Sequence, residues 1–303
     1  MTARRFLSQY GIFLALGLEC VVLAGATHTF LSVENLTNVL RQNAFPAIIA
    51  AGMTFVILTG GIDLSVGSVV GLSGVLCADA LVHHWGLAAA AGAGLAVGLA
   101  AGAVNAIVVT RVRVPPFIVT LAMMLVVRGL ALKYTDARTI SGLPETFASL
   151  SQTLPMVTAM VVTFVLSWVL LMRTPFGRHV YATGGNREAA WLSGVRVDRV
   201  LLSVYLLCGL GAGLAGVLVA SRLNAGYPRA GELYELDAVA AVVVGGTSLF
   251  GGRGSIWGTL GGTFFIGILN NGLNLYDVSP YDQMVVKGLV LLAAASLDRW
   301  RTR

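Results

Sequence analysis

A carboxylate inside a long apolar stretch is the first feature of this sequence that could do chemistry. Asp63 lies in LTGGIDLSVGSVV, directly after the pair Gly60 and Gly61. A carboxylate at membrane depth is costly unless it has a partner or faces water. Before an apolar helix, an aspartate can bind exposed backbone N–H groups and complement the helix dipole. We predict a structural role for Asp63 first, and a place beside a polar path, together with Ser65, second.

Three amides form a second polar cluster. Asn270, Asn271 and Asn274 lie in NNGLN, and helical spacing places Asn270 and Asn274 on one face. Amides can bind neutral hydroxylated solutes without trapping them, which a carboxylate would do more readily. Hydrogen bonding between helices is the alternative role for each amide. The sequence leaves both roles open, so we predict all three as candidates for a translocation path.

Three charged side chains lie in apolar stretches as well. Glu19 has no obvious partner; it faces the bundle interior, pairs with Arg128 or is protonated, and the sequence does not choose among these. Arg128 and Lys287 lie nearer the ends of their stretches. Long basic side chains at such positions can reach the membrane surface by snorkelling.

Enzymatic and metal-binding patterns are absent from the sequence. It contains no GxxxxGK[ST], HExxH or GxSxG pattern. Cys20, Cys77 and Cys208 lie singly in apolar segments, where small core residues are the expected role. We do not expect His83 and His84 to form a metal site. We therefore predict that the chain is not an enzyme and holds neither a metal nor a cofactor of its own.

Composition indicates a membrane protein. Of the 303 residues, 56% are hydrophobic and 11% are charged, whereas a soluble domain carries about 25% charged residues. Apolar runs of about 20 residues, the length that crosses a bilayer, recur from end to end. The net charge of +6 is explained by basic residues on the cytoplasmic side rather than by nucleic-acid binding.

The predicted fold is all-α: a polytopic membrane protein of about ten transmembrane helices, in a single domain over residues 1–303. The predicted spans are 10–31, 44–60, 64–82, 86–110, 115–134, 155–172, 199–221, 236–251, 255–276 and 282–298.

Two connections are long. Residues 135–154 form a predicted outer loop and residues 173–198 the largest inner loop. A loop of the latter size in a compact protein is usually functional.

Basic residues set the predicted orientation, with both termini in the cytoplasm. That orientation leaves only Arg41, Lys133, Arg138, Arg222 and Arg229 outside. The arginines predicted inside are Arg4, Arg5, Arg111, Arg113, Arg173, Arg178, Arg187, Arg196, Arg199, Arg253, Arg299, Arg301 and Arg303.

Glycine spacing carries two further predictions. Gly94, Gly98 and Gly102 stand at i, i+4 and i+8, a ridge that lets another helix approach closely. GGIDLSVGSVVG from Gly60 aligns without gaps to GGRGSIWGTLGG from Gly251. This predicts an internal repeat with broken helices at matching positions, although chance similarity between glycine-rich helices is the alternative.

Several blocks together resemble the permease subunit of ribose-type bacterial ABC importers. The resemblance runs from about residue 35 to residue 298. Its blocks are GMTFVILTGGIDLSVGSVVGLSG, VPPFIVTLAMMLVVRG, YATGGNREAAWLSGV, YELDAVAAVVVGGTSLFGGRGSIWGTLGG and NNGLNLYDVSPYDQMVVKG.

The resemblance implies a division of labour in the bacterial inner membrane. The permease, working as a homodimer or with a related permease, would form the channel and contact lipid. A separate ATPase would bind ATP and Mg²⁺, in agreement with the missing P-loop, and a periplasmic binding protein would deliver a ribose-like monosaccharide. Specificity would rest mainly on that binding protein, with few strong polar contacts along the path.

The resemblance also implies a coupling segment in GGNREAAWLSGV, a short helix that docks into a groove on the ATPase. Glu188, Ala189 and Ala190 would begin the helix, and Ser193 and Gly194 would end it. Without the resemblance, an ordinary solvated loop is an equal interpretation. The predicted coupling residues are Gly184, Gly185, Asn186, Glu188, Ala189, Ala190, Ser193 and Gly194.

Another class of protein stays open. An ion-coupled secondary transporter of a small polar solute would need no ATPase and would use an intramembrane carboxylate. Glu19 and Asp63 are the candidates for that role. The large glycine-rich inner loop weighs against it.

Overall fold

The computed structural model describes residues 3–302, and the side-chain surroundings of residues 11–296. Five arginines that enter the predicted orientation fall outside the residues whose side chains are described: Arg4, Arg5, Arg299, Arg301 and Arg303.

Thirteen α-helices make up the described chain, which confirms the all-α fold class. The only extended pairing among the described residues is an isolated bridge between Ile140 and Gly226. A π-helical stretch, Val108–Val112, extends α4, and a 3-10 turn, Ser149–Ser151, follows α6. The helices are α1 Ala3–Ala26, α2 Val33–Leu58, α3 Val66–Val82, α4 Leu87–Ile107, α5 Pro116–Thr135, α6 Glu145–Ala148, α7 Thr153–Arg173, α8 Pro175–Gly185, α9 Arg187–Leu192, α10 Val197–Leu223, α11 Tyr234–Val244, α12 Ile256–Leu275 and α13 Pro280–Thr302.

Each of the ten predicted spans overlaps one of these helices. Five helices in the described chain are both long and apolar enough to cross a membrane: α2, α4 with its π-helical extension, α5, α7 and α10. The count of ten crossings stays a prediction.

Two of the helix boundaries that differ from the predicted spans have a local cause. α2 begins at Val33 rather than near residue 44, because the Ser32 hydroxyl caps it by accepting the N–H of Asn35. The first part of α2 is rich in polar residues, so it does not read as an apolar run. α11 ends at Val244 rather than near residue 251, because Gly246 takes a left-handed φ of +89° and turns the chain.

α10 lies at the centre of the bundle, packed against α2, α3 and α4. The predicted glycine ridge of α4 makes one of these contacts. Gly98 lies against the backbone of Gly209, and Gly102 lies against the backbone of Tyr205. Backbones approach this closely only where no side chain separates them. The packing role predicted for the ridge is confirmed.

The two ends of the bundle differ in their connections. We call one the glycine end; it comprises residues 59–65, 174–196 and 245–255. The opposite, or loop, end includes residues 136–152, where the Ser221 hydroxyl donates to the Phe147 carbonyl at 2.7 Å. The glycine end brings together the two sequence copies of the predicted repeat.

Candidate functional site

Three separate chain segments meet backbone to backbone at the glycine end. The Gly252 N–H donates to the Leu58 carbonyl at 2.9 Å. A Cβ built on Gly184 would lie 2.6 Å from the Gly252 nitrogen, and one on Gly251 would lie 2.9 Å from the Gly60 nitrogen. No side chain therefore fits between the segments. We call this contact the glycine junction, formed by Leu58, Gly60, Gly184, Gly251 and Gly252.

Three glycines of the junction have a left-handed backbone conformation, which explains why glycine stands there. Gly60, Gly251 and Gly252 have φ values of +78°, +84° and +71°. Residues with a side chain rarely adopt this region. The first glycine of each pair, Gly60 and Gly251, thus turns the chain in the same sense before α3 and α12, whereas in the second position only Gly252 is left-handed.

The helices that follow the two turns pack differently. α12 runs back along α11, whereas α3 turns away from α2 to pack on α4 and α10. The prediction of matching breaks agrees with the structure, but the surrounding helix pairs are not arranged alike. A left-handed first glycine is common to both turns, and common descent of the two copies stays a prediction.

The predicted coupling segment forms α9, with the boundaries that the sequence indicated. The Asn186 Oδ1 caps its first turn by accepting the Ala189 N–H at 2.9 Å, and Glu188 lies in that turn, where its charge favours the helix dipole. Ser193 ends the helix, and Gly194 follows with a φ of +85°. Asn186, Glu188, Ser193 and Gly194 thus each have a local conformational reason.

One face of α9 is apolar and uncovered. Trp191 and Leu192 are 65% and 72% exposed, whereas Ala190 is buried against the protein. The sequence interpretation did not single out these two side chains, although large apolar residues flanking the predicted helix were visible. Gly184 joins α9 to the glycine junction through the end of α8.

Asp63 and Ser65 are both buried, and they bind each other. Asp63 Oδ1 accepts the backbone N–H of Ser65 at 2.9 Å and its hydroxyl at 2.6 Å, and the Asn105 amide nitrogen lies 3.4 Å away. Ser65, rather than Asp63, is the N-cap residue of α3. The carboxylate therefore stabilises the turn before the helix. Asn105 on α4 and Thr120 on α5, both of which the sequence interpretation missed, tie this turn to the bundle; the Thr120 hydroxyl donates to the Ile62 carbonyl at 3.1 Å.

A polar cavity of about 370 Å³ lies between α2, α10, α11 and α12. Phe45 and Tyr234 stack along its wall with ring centroids 5.6 Å apart. The Arg222 guanidinium lies 5.7 Å from the Phe45 ring centroid. We call it the polar cavity; its polar lining residues are Gln42, Asn43, Arg222, Tyr234, Asp237, Thr263 and Asn270.

The three predicted path asparagines point to different surroundings. Asn270 lines the polar cavity. Asn271 instead exchanges two hydrogen bonds with Asn35 of α2, at 2.8 and 3.0 Å. Asn274 accepts from Gln283 at 2.8 Å. Of the three, only Asn270 lies beside a cavity that a solute could occupy. The other two amides make hydrogen bonds between helices.

Residues 224–233 form an irregular segment that runs back into the bundle beside α3. A Cβ on Gly226 would lie 2.6 Å from the Ala78 side chain, and one on Gly231 would lie 2.9 Å from the Val70 side chain. Ala78 and Val70 are about 12 Å apart along α3. Irregular backbone at membrane depth occurs only where protein buries it or where it lines a cavity. We call residues 224–233 the re-entrant segment.

Arg128 holds the re-entrant segment in place. Its guanidinium donates to the carbonyls of Pro228 at 2.6 Å, Ala230 at 3.0 Å and Gly67 at 3.2 Å. The predicted snorkelling of Arg128 is therefore wrong, because three inward-facing carbonyls supply the polar partners that the membrane surface would otherwise provide. A pair between Arg128 and Glu19 is wrong for the same reason.

Lys287 also has a protein partner rather than a surface position. Its ammonium lies 3.1 Å from Asp237 Oδ2. The ion pair joins α13 to α11 beside the polar cavity. The predicted snorkelling of Lys287 is therefore wrong, because the Asp237 carboxylate on the neighbouring helix pairs with its ammonium.

Glu19 lies in an apolar groove of about 470 Å³ between α1 and α12. Among the residues that the structure describes, neither carboxyl oxygen of Glu19 has a hydrogen-bond partner. Leu18 and Val22 beside it are more than half exposed. The groove therefore belongs to the bundle's outer, apolar surface, away from the polar cavity.

Comparisons with known proteins agree with the resemblance seen in the sequence blocks. The family described as "Branched-chain amino acid transport system / permease component" matches residues 35–295. The ribose import permease protein RbsC of Bacillus subtilis (strain 168) is 48% identical over 301 residues, which cover 97% of this chain and 93% of the relative. No solved structure matches the chain.

Two further relatives extend the comparison. The ribose import permease protein RbsC of Escherichia coli (strain K12) is 43% identical over 304 residues, 97% of this chain and 95% of the relative. The D-allose transport system permease protein AlsC of the same strain is 37% identical over 303 residues, which cover 97% of this chain and 92% of the relative. These similarities cover almost the whole chain, and therefore extend to residues before the start near residue 35 that the sequence blocks indicated.

Proposed function

This chain belongs to the permease family described as "Branched-chain amino acid transport system / permease component", and we propose that it is the membrane subunit of an ABC importer for a ribose-like monosaccharide. The observation that carries the proposal is the identity of 43–48%, over almost the whole of both chains, to three ribose import permeases. A multi-pass location in the inner membrane follows from the family and from the apolar helices.

The energy source in this proposal is a separate ATPase that binds ATP and Mg²⁺. The exposed Trp191 and Leu192 of α9 are suited to a groove on that partner, because uncovered large apolar side chains on a short helix favour burial in another protein. A periplasmic binding protein would supply the sugar at the loop end. A second permease, identical or related, would complete the channel.

The proposed orientation places the glycine end, with α9, in contact with the cytoplasm. The basic residues of 174–196 support it through the positive-inside rule. Both termini are then cytoplasmic. α9 is thereby on the side where ATP is available.

Coupling in this proposal passes from α9 to the glycine junction. When the ATPases close, α9 would move with them, and α8 would carry Gly184 against Leu58 and Gly252. Because no flexible side chain separates these backbones, the ends of α2 and α12 would have to move as well. The sugar would then pass by alternating access.

Transport assays test the substrate class. The chain is reconstituted in proteoliposomes with its ATPase and binding protein, and uptake of labelled ribose and labelled leucine is compared. We expect ATP-dependent ribose uptake and no leucine uptake. Leucine uptake would favour the substrate in the family description. Ribose uptake without the ATPase, abolished by a protonophore, would favour the secondary transporter.

A substitution in α9 tests the coupling role. Ala189 is exposed, so Ala189→Arg fits the permease itself, but its bulk and charge would lie in the contact with the ATPase. We expect uptake to fall at least tenfold and the ATPase to be lost on co-purification, with the melting temperature of the permease unchanged. Ala189→Ser is the matched control and should behave as wild type. Undiminished uptake by well-expressed Ala189→Arg would exclude α9 as the coupling helix.

A further inference from the structure

The Asp63 carboxyl is buried without a positive partner. It lies in the turn between α2 and α3, outside both helices, and it is 1% exposed. Within the described part of the chain, no lysine, arginine or histidine forms an ion pair with it. A buried carboxylate without a counter-charge is so costly that such a group takes up a proton instead. The surroundings of Asp63 therefore decide which form it holds.

Every hydrogen bond that the described residues donate to Asp63 comes from a neutral group. Oδ1 accepts the N–H of Ser65 at 2.9 Å and its hydroxyl at 2.6 Å, and the Cys208 thiol of α10 bonds to the carboxyl as well. Both Ser65 bonds reach a single oxygen, and a protonated carboxyl keeps that oxygen as an acceptor. The turn before α3 therefore does not require a negative charge on Asp63.

The second carboxyl oxygen and the Asn105 amide are incompletely bonded. Asp63 Oδ2 lies 3.5 Å from the Asn105 amide nitrogen, which is too long for a strong bond. Asn105 Oδ1 is buried, and no described residue donates to it. A half-turn of the amide would place this oxygen where the nitrogen now lies, facing Oδ2. A proton on Oδ2 would then bond to it, because the O–H of an acid is a donor and an amide oxygen an acceptor.

The elements packed around the turn place no positive charge beside the carboxyl. α10 contributes Tyr205 and Cys208, which are neutral near pH 7. α4 and α5 contribute Asn105 and Thr120, which do not titrate. Arg187, at the start of α9, acts on Tyr205 but is exposed, so that solvent screens its charge. Burial accordingly raises the pKa of the carboxyl above its ordinary value, and the neutral hydrogen bonds oppose this only in part.

Movement of the glycine junction would change this burial. Asp63 follows Gly60 of the junction by three residues. A Cβ built on the intervening Gly61 would lie 2.8 Å from the Tyr205 hydroxyl oxygen, so the turn is packed closely on α10. If the end of α2 moves with the junction, the turn separates from Tyr205 and water can enter. A carboxyl in contact with water near pH 7 gives up its proton.

We propose that Asp63 is a proton-binding site, protonated while the glycine end is closed and ionised when movement of the glycine junction opens it. The inference rests on the proposed function, in which that movement is part of the transport cycle. On opening, the Asp63 O–H bond breaks, the proton passes to cytoplasmic water and the carboxylate remains. On closing, a proton returns from the same side, so proton flow does not drive transport. By linkage, a low cytoplasmic pH stabilises the closed state.

Infrared difference spectroscopy tests the protonation directly. The permease is labelled with carboxyl-carbon-13 aspartate, assembled in liposomes with unlabelled ATPase, and compared with the unlabelled complex at about pH 7, where an ordinary carboxyl is ionised. A protonated carboxyl absorbs apart from carboxylates, and the isotope shift restricts the band to aspartates of the permease, which excludes Glu19. Asp63→Asn keeps the shape of the protonated form. Asp277→Asn, in an exposed turn, is the matched control.

We expect an aspartic acid band in wild type and in Asp277→Asn, and its loss in Asp63→Asn. Addition of ATP should reduce the wild-type band. Asn105→Leu should shift the band, which assigns it to Asp63 even if Asp63→Asn does not assemble. A wild-type complex without the band, a band that survives in Asp63→Asn, or one that neither Asn105→Leu nor ATP changes would overturn the proposal.

Thermal unfolding across pH checks the sign of the effect. A carboxyl that is protonated when folded and ionised when unfolded makes the folded state less stable as pH rises from about 4, its unfolded pKa, towards its folded pKa. The melting temperature of wild type should therefore fall relative to that of Asp63→Asn between about pH 5 and pH 8. Asp277→Asn should follow wild type. Parallel curves for wild type and Asp63→Asn would contradict the proposal.

Uptake measured on the same preparations separates the two proposals. If wild type imports ribose but shows no aspartic acid band, the inference fails and the proposed function stands. If the band is present and responds to ATP but no ribose enters, the proposed substrate fails and the proton site stands.

Discussion

The glycine junction and the polar cavity lie on the same helices but are built in opposite ways. In the junction, backbones touch without intervening side chains, as where Gly252 donates to Leu58. In the cavity, side chains surround an open space of about 370 Å³. α2 reaches both, since Asn43 lines the cavity and Leu58 lies at the junction, about 22 Å further along the helix.

This difference indicates a division of tasks along one helix. A contact without gaps transmits displacement because nothing in it can yield by changing rotamer. A polar space can change its shape and its hydration when the helices around it shift. Substitutions at the two places should therefore impair different steps. Those at the junction should impair coupling, and those around the cavity should impair solute binding.

Filling the junction should have the largest effect. Gly184→Ala adds a Cβ 2.6 Å from the Gly252 nitrogen, and overpacking of this kind costs about 1–3 kcal/mol. We expect ribose uptake to fall more than tenfold, and the melting temperature in detergent to decrease.

Gly185→Ala provides the matched control for the junction. The space beside Gly185 is open, so the same methyl group one residue later should leave both uptake and melting temperature near wild type. Equal behaviour of the two alanine variants would show that the junction yields easily and does not transmit movement.

Releasing the re-entrant segment should have an intermediate effect. Arg128→Met keeps the length of the side chain but removes its three bonds to carbonyls, and hydrogen bonds to charged groups contribute about 1.5–3 kcal/mol. We expect the free energy of unfolding to fall by about 2 kcal/mol and uptake to fall several-fold. Denaturant unfolding in detergent measures the free energy of unfolding, and the transport assay measures uptake. Lys133→Met, which removes an exposed charge from the same helix, should change neither.

Separating the amide pair should have the smallest effect. Asn271→Ala removes two hydrogen bonds to Asn35, and such pairs between membrane helices average about 0.6 kcal/mol. A double-mutant cycle with Asn35→Ala should return a coupling energy of that size, with ribose KM unchanged. A KM that rises with Asn271→Ala would place this amide in the path after all.

Local sequence patterns predicted the elements well. The Asn186 cap and Gly194 stop of α9 were visible in the sequence, because capping depends on residues three or four positions apart. The α4 ridge was visible for a similar reason, since i, i+4 spacing defines one helix face. All ten predicted spans overlap a helix, because apolar runs of that length favour one strongly.

Partners distant in sequence could not be predicted in the same way. The neighbours Asn270 and Asn271 looked equivalent, yet one lines a cavity and the other meets Asn35 on α2. Arg128 and Lys287 looked like surface-seeking residues until the re-entrant segment and Asp237 supplied their partners. Such contacts depend on how the helices are arranged, which helical periodicity does not specify.

The sequence by itself determined the membrane class, the helices, their glycine breaks and the family resemblance, because each depends on composition or on short-range spacing. Only the tertiary structure decided that the two breaks touch each other and Gly184, that Asp63 is used in a turn, and that Asn270 faces an open polar space. The physical reason is that burial and hydrogen bonding within a bundle are satisfied between helices, by residues that can be separated by more than a hundred positions.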